Sequence, residues 1–376
     1  MGVGVVCLTV SVWCIYEGCG GLVFLSFYPH HTTRDATMSR DASRARGRAC
    51  ARGEARARAR RRRARGGGAR AAARASRRDD GDDYDEDEDV ETTSGRGATR
   101  AVVLVPGFLS DWRAYADVAE ALERSLARAT GGGVVVDVAR VAGADWWPTL
   151  AGGDFSVIVD AIDACVRKCS AEVNGAKVCV VAHSAGGWLT RLYLGSEPYC
   201  GKAYRGEKFV DAVVTLGAPH ASMERYPFGR VPERRRGEGE ASSLPEDARG
   251  SSLAYTNLKY PGAFYESVRY VNVVGDVVAG SPSFDVIGAL CDDDDENTVL
   301  ERLRERWSAY VVGVSYAANC GDASARGDGV CPVATALSLD GAENVILPGV
   351  YHGANIGDPW YGSPDVIDAW SSHCLP

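Results

Sequence analysis

Beyond residue 28 the chain contains no apolar run long enough to span a bilayer. No second membrane-crossing helix can therefore be placed. Zinc-ligand spacing is also missing among the twelve cysteines. Cys165 and Cys169 lie four apart on an expected helix, which is not a metal knuckle. There are no internal repeats, which excludes solenoids and propellers. Histidine is sparse, with six in 376 residues, so any imidazole chemistry has few places to come from. What is present is ordinary globular composition, 45% apolar and 24% charged, enough for one large core.

The net charge of −8 is unevenly spread. Residues 39–78 hold sixteen Arg and two acids, Asp41 and Glu54, and residues 79–91 hold ten acids and no base. Neither block has hydrophobic periodicity, so residues 1–97 read as a presequence outside the fold. Residues 38–78, rich in Arg, Ala and Ser, have the composition of an organelle transit peptide starting at Met38, and residues 79–91 that of an acidic linker. A disordered spacer and a nucleic-acid arm are the other readings. The block lacks interleaved aromatics and the domain that follows is acidic, so no nucleic-acid partner is expected. Residues 1–28 are almost wholly apolar without a basic leading segment. They read as sequence upstream of the true start, with a membrane anchor or secretory signal as alternatives. The expected location is the chloroplast, or a membrane or the secretory route if residues 1–28 act. The eight cysteines beyond the presequence read as reduced, mostly buried thiols.

Residues 98–376 carry the domain, and residues 177–194 organise it. Val178, Cys179, Val180 and Val181 form a β-branched run suited to a strand buried on both faces. From Trp188 the spacing turns helical, with Leu189, Leu192 and Tyr193. Between them, Ala182-His183-Ser184-Ala185-Gly186 is a nucleophile elbow with Ala for the first Gly. A nucleophilic Ser needs a tight turn with its hydroxyl exposed. Small neighbours let strand and helix pack around it, and the helix start offers the Ala185 N–H to a developing oxyanion.

Further strands are expected at 101–105, 134–141, 209–216, 268–274 and 344–347. Helices are expected from Asp111 as N-cap to about 129, at 155–173 and around 366–370. Strands alternating with helices predict the α/β class: a mainly parallel sheet with helices on both faces. Two long connections, 220–267 and 277–327, interrupt it and are expected to be functional or disordered. Tyr226, Phe228, Tyr255, Tyr260, Phe264 and Tyr265 in the first read equally as a cap over an apolar pocket or as loop residues packed on the core. The acidic run 292–296 lacks the spacing and Gly of a calcium loop and reads as a solvated linker.

Ser184 needs a base, and the base an orienting acid. Two histidines follow the insertions: His352, in a loop just after the last strand, and His373, almost at the C-terminus. His352 is the candidate base. For the acid, Asp276 directly follows the 268–274 strand, and Asp328 lies in Gly327-Asp328-Gly329-Val330-Cys331-Pro332. Position alone slightly favours Asp276. The second oxyanion donor is expected from Pro106-Gly107-Phe108, as the Phe108 N–H.

With these residues placed, the domain resembles the α/β-hydrolase superfamily. It is most similar to its plant and algal branch of lipases and GPI-inositol-deacylase-like serine esterases. The resemblance runs over Val102 to Phe108, Ala182 to Gly187, Leu216-Gly217-Ala218-Pro219-His220, Gly327 to Pro332, Leu339-Asp340-Gly341-Ala342, Gly349 to His352 and Pro359-Trp360-Tyr361-Gly362-Ser363-Pro364. It implies an α/β-hydrolase fold with a cap insertion, Asp328 rather than Asp276 as the acid, and a Ser184–Asp328–His352 triad. The implied reaction is hydrolysis of carboxylic esters, lipid-like acyl esters foremost, through an acyl-enzyme. No metal or organic cofactor is required. The implied partners are a small-molecule or lipid ester and a membrane surface; the oligomeric state is left open. The alternatives are an acyltransferase with the same triad, though the domain lacks His-x-x-x-x-Asp, and a catalytically silent hydrolase-fold binding protein.

Overall fold

The computed structural model describes residues 11–12, 25–26, 99–150, 152–223, 251–291 and 298–376. Ser11–Val12 pairs antiparallel with Leu25–Ser26. Otherwise residues 1–97, on which the transit-peptide and acidic-linker expectations fall, lie outside the described residues. So do Tyr226, Phe228 and the acidic run 292–296.

Six parallel strands form one sheet: β1 (Arg100–Val105), β2 (Val134–Val138), β3 (Val178–His183), β4 (Val210–Leu216), β5 (Arg269–Asp276) and, after a two-stranded clasp, β8 (Glu343–Pro348). Their order across the sheet is β8-β5-β4-β3-β1-β2. The chain runs outward from β1 to β2 and then returns to the other side of β1 with β3. The carboxyl ends of β1 and β3, at that reversal, are where open α/β sheets bind ligands. The chain is thus of the α/β class, with the mainly parallel, two-faced sheet expected of an α/β-hydrolase fold.

Alternation along β1 divides the core. Ala101, Val103 and Val105 face a cluster built with α2 (Ser156–Glu172) and α3 (Ala185–Leu194). Val102 and Leu104 face a second cluster built with α1 (Ala116–Thr130) and α7 (Pro364–Trp370). All five are at most 2% exposed, and burial of each Val or Leu is worth about 1.5–3 kcal/mol. The β-branched run of β3 is likewise buried on both faces, which is why its sequence does not alternate.

Several boundaries differ from the sequence expectation. Asp111 caps a 3-10 turn at Trp112–Tyr115, accepting from the Arg113 N–H, and α1 starts only after it. The turn matters because it carries Tyr115 beneath the end of β1, where its hydroxyl meets the Gly107 N–H at 3.0 Å. β2 stops at Val138 rather than 141: the Ala139 N–H makes the last ladder bond, to the Leu104 carbonyl, and the chain then turns tightly as the Val141 N–H donates to the Ala139 carbonyl.

The insertions hold helices that the sequence reading had not placed. Residues 277–327 contain α5 (Val286–Cys291) and the 22-residue α6 (Val299–Cys320). α6 opens on a capping box, in which Thr298 Oγ1 accepts from Glu301 N–H and Glu301 accepts from Thr298 N–H. Its two legs are tied by β6 (Val278–Ala279) pairing antiparallel with β7 (Arg326–Gly327). In residues 220–267, Ser251 caps α4 (Ser252–Lys259). Tyr255 and Tyr260 are buried and Tyr265 packs against the core; Phe264 is 45% exposed. Of the two readings for these aromatics, three of the four described residues take the core-packed one. No helix among the described residues is long and apolar enough to cross a membrane.

The start of α3 lies so close to the sheet that a Cβ on Gly187 would overlap the Ala218 side chain and sit 3.2 Å from Thr215 Cγ2. Gly187→Ala is expected to destabilise the protein by about 1–3 kcal/mol, as overpacking does. Urea unfolding should show a lower midpoint at unchanged m-value; an unchanged midpoint would mean that α3 can retreat from β4 freely.

Candidate active site at the strand ends

Ser184 follows β3 directly, and its backbone is strained, at φ 52° and ψ −127°. This region is nearly closed to residues with a Cβ, and occupying it costs on the order of 1–3 kcal/mol. Neighbours hold it there. The Ser184 N–H donates to the Leu216 carbonyl at 2.8 Å, and its own carbonyl accepts from Gly187 N–H at 2.9 Å. All ten residues of α3 are buried. Ala182 is fully buried, so the methyl replacing the usual glycine is accommodated. The Ala185 N–H, at the helix start, has no hydrogen-bond partner among the described residues. Phe108 lies on the loop after β1, its ring edge-on to Trp146 at 5.3 Å.

The structure joins His352 to Asp328. His352 Nδ1 lies 2.7 Å from Asp328 Oδ2, and the residues are 7% and 0% exposed. An ionised carboxylate only accepts, so Nδ1 carries the proton and Nε2 is left as the acceptor. Asp328 Oδ1 accepts the Val330 and Cys331 N–H groups at 2.9 and 2.7 Å. Oδ2 also accepts the Tyr361 hydroxyl at 2.7 Å. Burial would raise this carboxyl's pKa, but His352 beside it and these hydrogen bonds hold it below the usual range. Burial, then the Asp328 charge, push the Tyr361 phenol well up, so it stays a donor.

The other candidates fall elsewhere. Asp276 pairs with Arg326 Nε at 2.8 Å and is 31% exposed, and it is Asp328 that meets His352. The clasp explains the difference: it returns the insertion beside the end of β5 and leaves Asp328 facing inward. His373 sits by Glu343, at the opposite end of the sheet's last strand. No hydrogen bond joins Ser184 Oγ to His352 among the described residues. Such bonds often tighten only with substrate bound. His352 nonetheless stands beside the elbow, its ring 4.7 Å from that of His183. At the end of β4, a Cβ on Gly217 (φ +57°) would lie 2.5 Å from Asp328 Oδ2 and 2.9 Å from His352 Nδ1. Only glycine leaves room for the pair.

Three contributors escaped the sequence reading. Tyr361 holds Asp328 and accepts the Gly275 N–H at 2.7 Å. His183 Nε2 lies 2.8 Å from the His352 carbonyl, and Tyr115 Oη lies 2.7 Å from His183 Nδ1. His183 and Tyr361 fall inside recognised motifs, but no pattern in the sequence announced Tyr115.

Asp137, Cys165 and Cys169 bring ligand atoms within 4.8 Å of one another. The Asp137 carboxylate is already taken by Arg140, Lys168 and the Val138 N–H, so the cluster does not suit a metal cation. The eight cysteines of the domain are free thiols, and five are buried.

No family model matches the chain, and no curated protein is similar to it in sequence. Solved structures do match. Bacillus licheniformis lipase BlEst2 in mature form is 15% identical with a TM-score of 0.41, over 71% of this chain and 89% of that one. Phospholipase PlaB from Legionella pneumophila is 16% identical with a TM-score of 0.39, over 69% and 55%. Aspergillus fumigatus lipase B is 15% identical with a TM-score of 0.30, over 50% and 39%. The chain thus spans well under two thirds of the phospholipase and of lipase B.

His183 and His220 are both fully enclosed, and burial pulls each imidazole down to about 3. Both are neutral in the fold, while the unfolded chain protonates them below about pH 6.5. Their contribution is therefore complete above pH 6.5 and is lost as pH falls towards 3. With two such groups, stability should drop by roughly 2–3 kcal/mol per pH unit below pH 6. Urea unfolding at pH 7, 6 and 5 measures this; equal stability at all three would mean that these rings accept protons in place.

Proposed function

We propose that this chain is a serine hydrolase cleaving carboxylic esters through an acyl-enzyme. One observation carries the reading: a serine held in strained backbone at the first turn of a buried helix, next to a buried His–carboxylate pair. Structural roles do not call for that combination, and strain of this kind is kept where chemistry uses it.

Ser184 is the nucleophile, His352 the base and Asp328 the orienting acid. His352 Nε2 takes the Ser184 proton as Oγ attacks the ester carbonyl. Asp328 holds the tautomer and stabilises the imidazolium. The Ala185 and Phe108 N–H groups receive the oxyanion, aided by the positive end of α3. His352 then protonates the leaving alcohol. Water, deprotonated by the same imidazole, attacks the acyl-enzyme, and the imidazolium returns that proton to Ser184 Oγ as the acid leaves. These residues perform every proton transfer of the cycle. Lipid-like acyl esters are the preferred substrates in this reading, supported by the motif resemblance to lipases and by the exposed Ile287, Leu290 and Leu300 on the insertion, 75%, 56% and 77% accessible. Such side chains suit contact with an acyl-rich surface.

The full-length chain should hydrolyse p-nitrophenyl esters, with a chain-length optimum that defines the acyl preference. Ser184→Ala should abolish turnover, and Asp328→Asn should lower kcat by roughly 10⁴-fold, since it favours the wrong tautomer. Asp276→Asn, which loses a surface ion pair, should stay within about twofold of wild type. Turnover that survives Ser184→Ala, or greater sensitivity at Asp276 than at Asp328, contradicts the assignment.

A further inference from the structure

The loop after β1 and the loop carrying His352 are joined by a buried chain of hydrogen bonds that the proposed reaction does not itself use. The Gly107 N–H lies 3.0 Å from Tyr115 Oη. Tyr115 Oη lies 2.7 Å from His183 Nδ1, and His183 Nε2 lies 2.8 Å from the His352 carbonyl. Every group along it is buried: Tyr115 is 6% exposed, His183 8% and His352 7%.

The directions of these bonds are fixed by chemistry. A carbonyl only accepts, so His183 Nε2 carries the hydrogen. The ring is neutral, because burial and the neighbouring His352 hold its pKa to about 3. Nδ1 is then the acceptor and the Tyr115 hydroxyl the donor. The phenol oxygen, having donated, accepts from the Gly107 amide. Each donor of the bridge meets an acceptor, and the Ser110 side chain also bonds to the Tyr115 hydroxyl.

The consequence for His352 is specific. Its N–H donates to the Asp328 carbonyl at 2.9 Å, and its carbonyl accepts from His183. Both backbone groups are thereby clamped, one by the acid's own residue and one by the residue preceding Ser184. At the other end, the Gly107 amide is fixed next to the proposed Phe108 donor.

We propose that Tyr115 and His183 are positioning residues, forming a neutral bridge that sets the oxyanion loop and the base loop at one spacing about Ser184. This rests on the serine-hydrolase reading and deepens it. Neither residue touches substrate. They act by holding Phe108 and His352 in register, where small misplacement of reacting groups is costly.

The test uses the full chain, a p-nitrophenyl ester, and Tyr115→Phe, His183→Phe and His183→Gln, with a thermal melt of each. Tyr115→Phe keeps the ring and removes the link. It should lower kcat about tenfold with KM within about twofold, the mark of an interaction that matters in the transition state alone. His183→Phe should lower kcat by about ten- to a hundredfold. A glutamine side chain carries one acceptor and one donor, like the neutral imidazole. His183→Gln should therefore recover most of what His183→Phe loses. Wild-type kcat in folded Tyr115→Phe, or equal impairment of folded His183→Gln and His183→Phe, overturns the bridge. If His183→Phe fails to fold, Tyr115→Phe decides. A wild-type chain inactive on every ester overturns the hydrolase reading instead, and the bridge's role with it.

Discussion

A carboxylate with no exposure to water must be compensated on all sides, and the Asp328 carboxylate imposes that demand on the whole upper edge of the sheet. Four donors meet it: two backbone N–H groups of its own loop, the His352 ring and the Tyr361 hydroxyl. They come from segments that the chain separates by the end of β5, the return of the insertion and the loop after β8. Tyr361 is itself fixed by Gly275 at the end of β5. Placing one charge therefore requires the sheet, the clasp and the C-terminal loops to be formed together.

The strain at Ser184 is sustained by the same assembly. A positive φ at a residue with a Cβ persists only where the surroundings over-determine it. Here β3 is flanked by β1 and β4, the helix after it is buried throughout, and the Ser184 amide is bonded to the neighbouring strand. The elbow and the Asp328–His352 pair then share residues. Leu216 binds the Ser184 amide, and Gly217, the next residue, leaves the space in which Asp328 and His352 meet.

The elbow was readable because its signal is local. A buried strand, small residues and a helical repeat follow one another within eighteen positions, each dictated by nearest neighbours. The order of strands and helices was readable for the same reason. α6 was not, because it buries few apolar side chains along its 22 residues, chiefly Val312 and Tyr316, and its amphipathic repeat is weak. The Thr298–Glu301 capping box was the signal that could have found it. That Asp328 rather than Asp276 meets His352 could not be read from the residues alone without knowing that residues 278–279 clasp 326–327. The bridge was out of reach altogether, since Tyr115 and His183 stand 68 positions apart, and His183 and the His352 carbonyl 169. Hydrogen bonds of that range leave no periodicity in a sequence.

The proposed mechanism requires Ser184 to be an activated nucleophile. Reaction of the full-length chain with a fluorophosphonate, followed by mass mapping of the adduct, tests it without any assumption about the substrate. One adduct per chain is expected, on Ser184, absent in Ser184→Ala and formed much more slowly in His352→Ala. A chain that takes up no label while folded, or that labels equally well in Ser184→Ala, would contradict it.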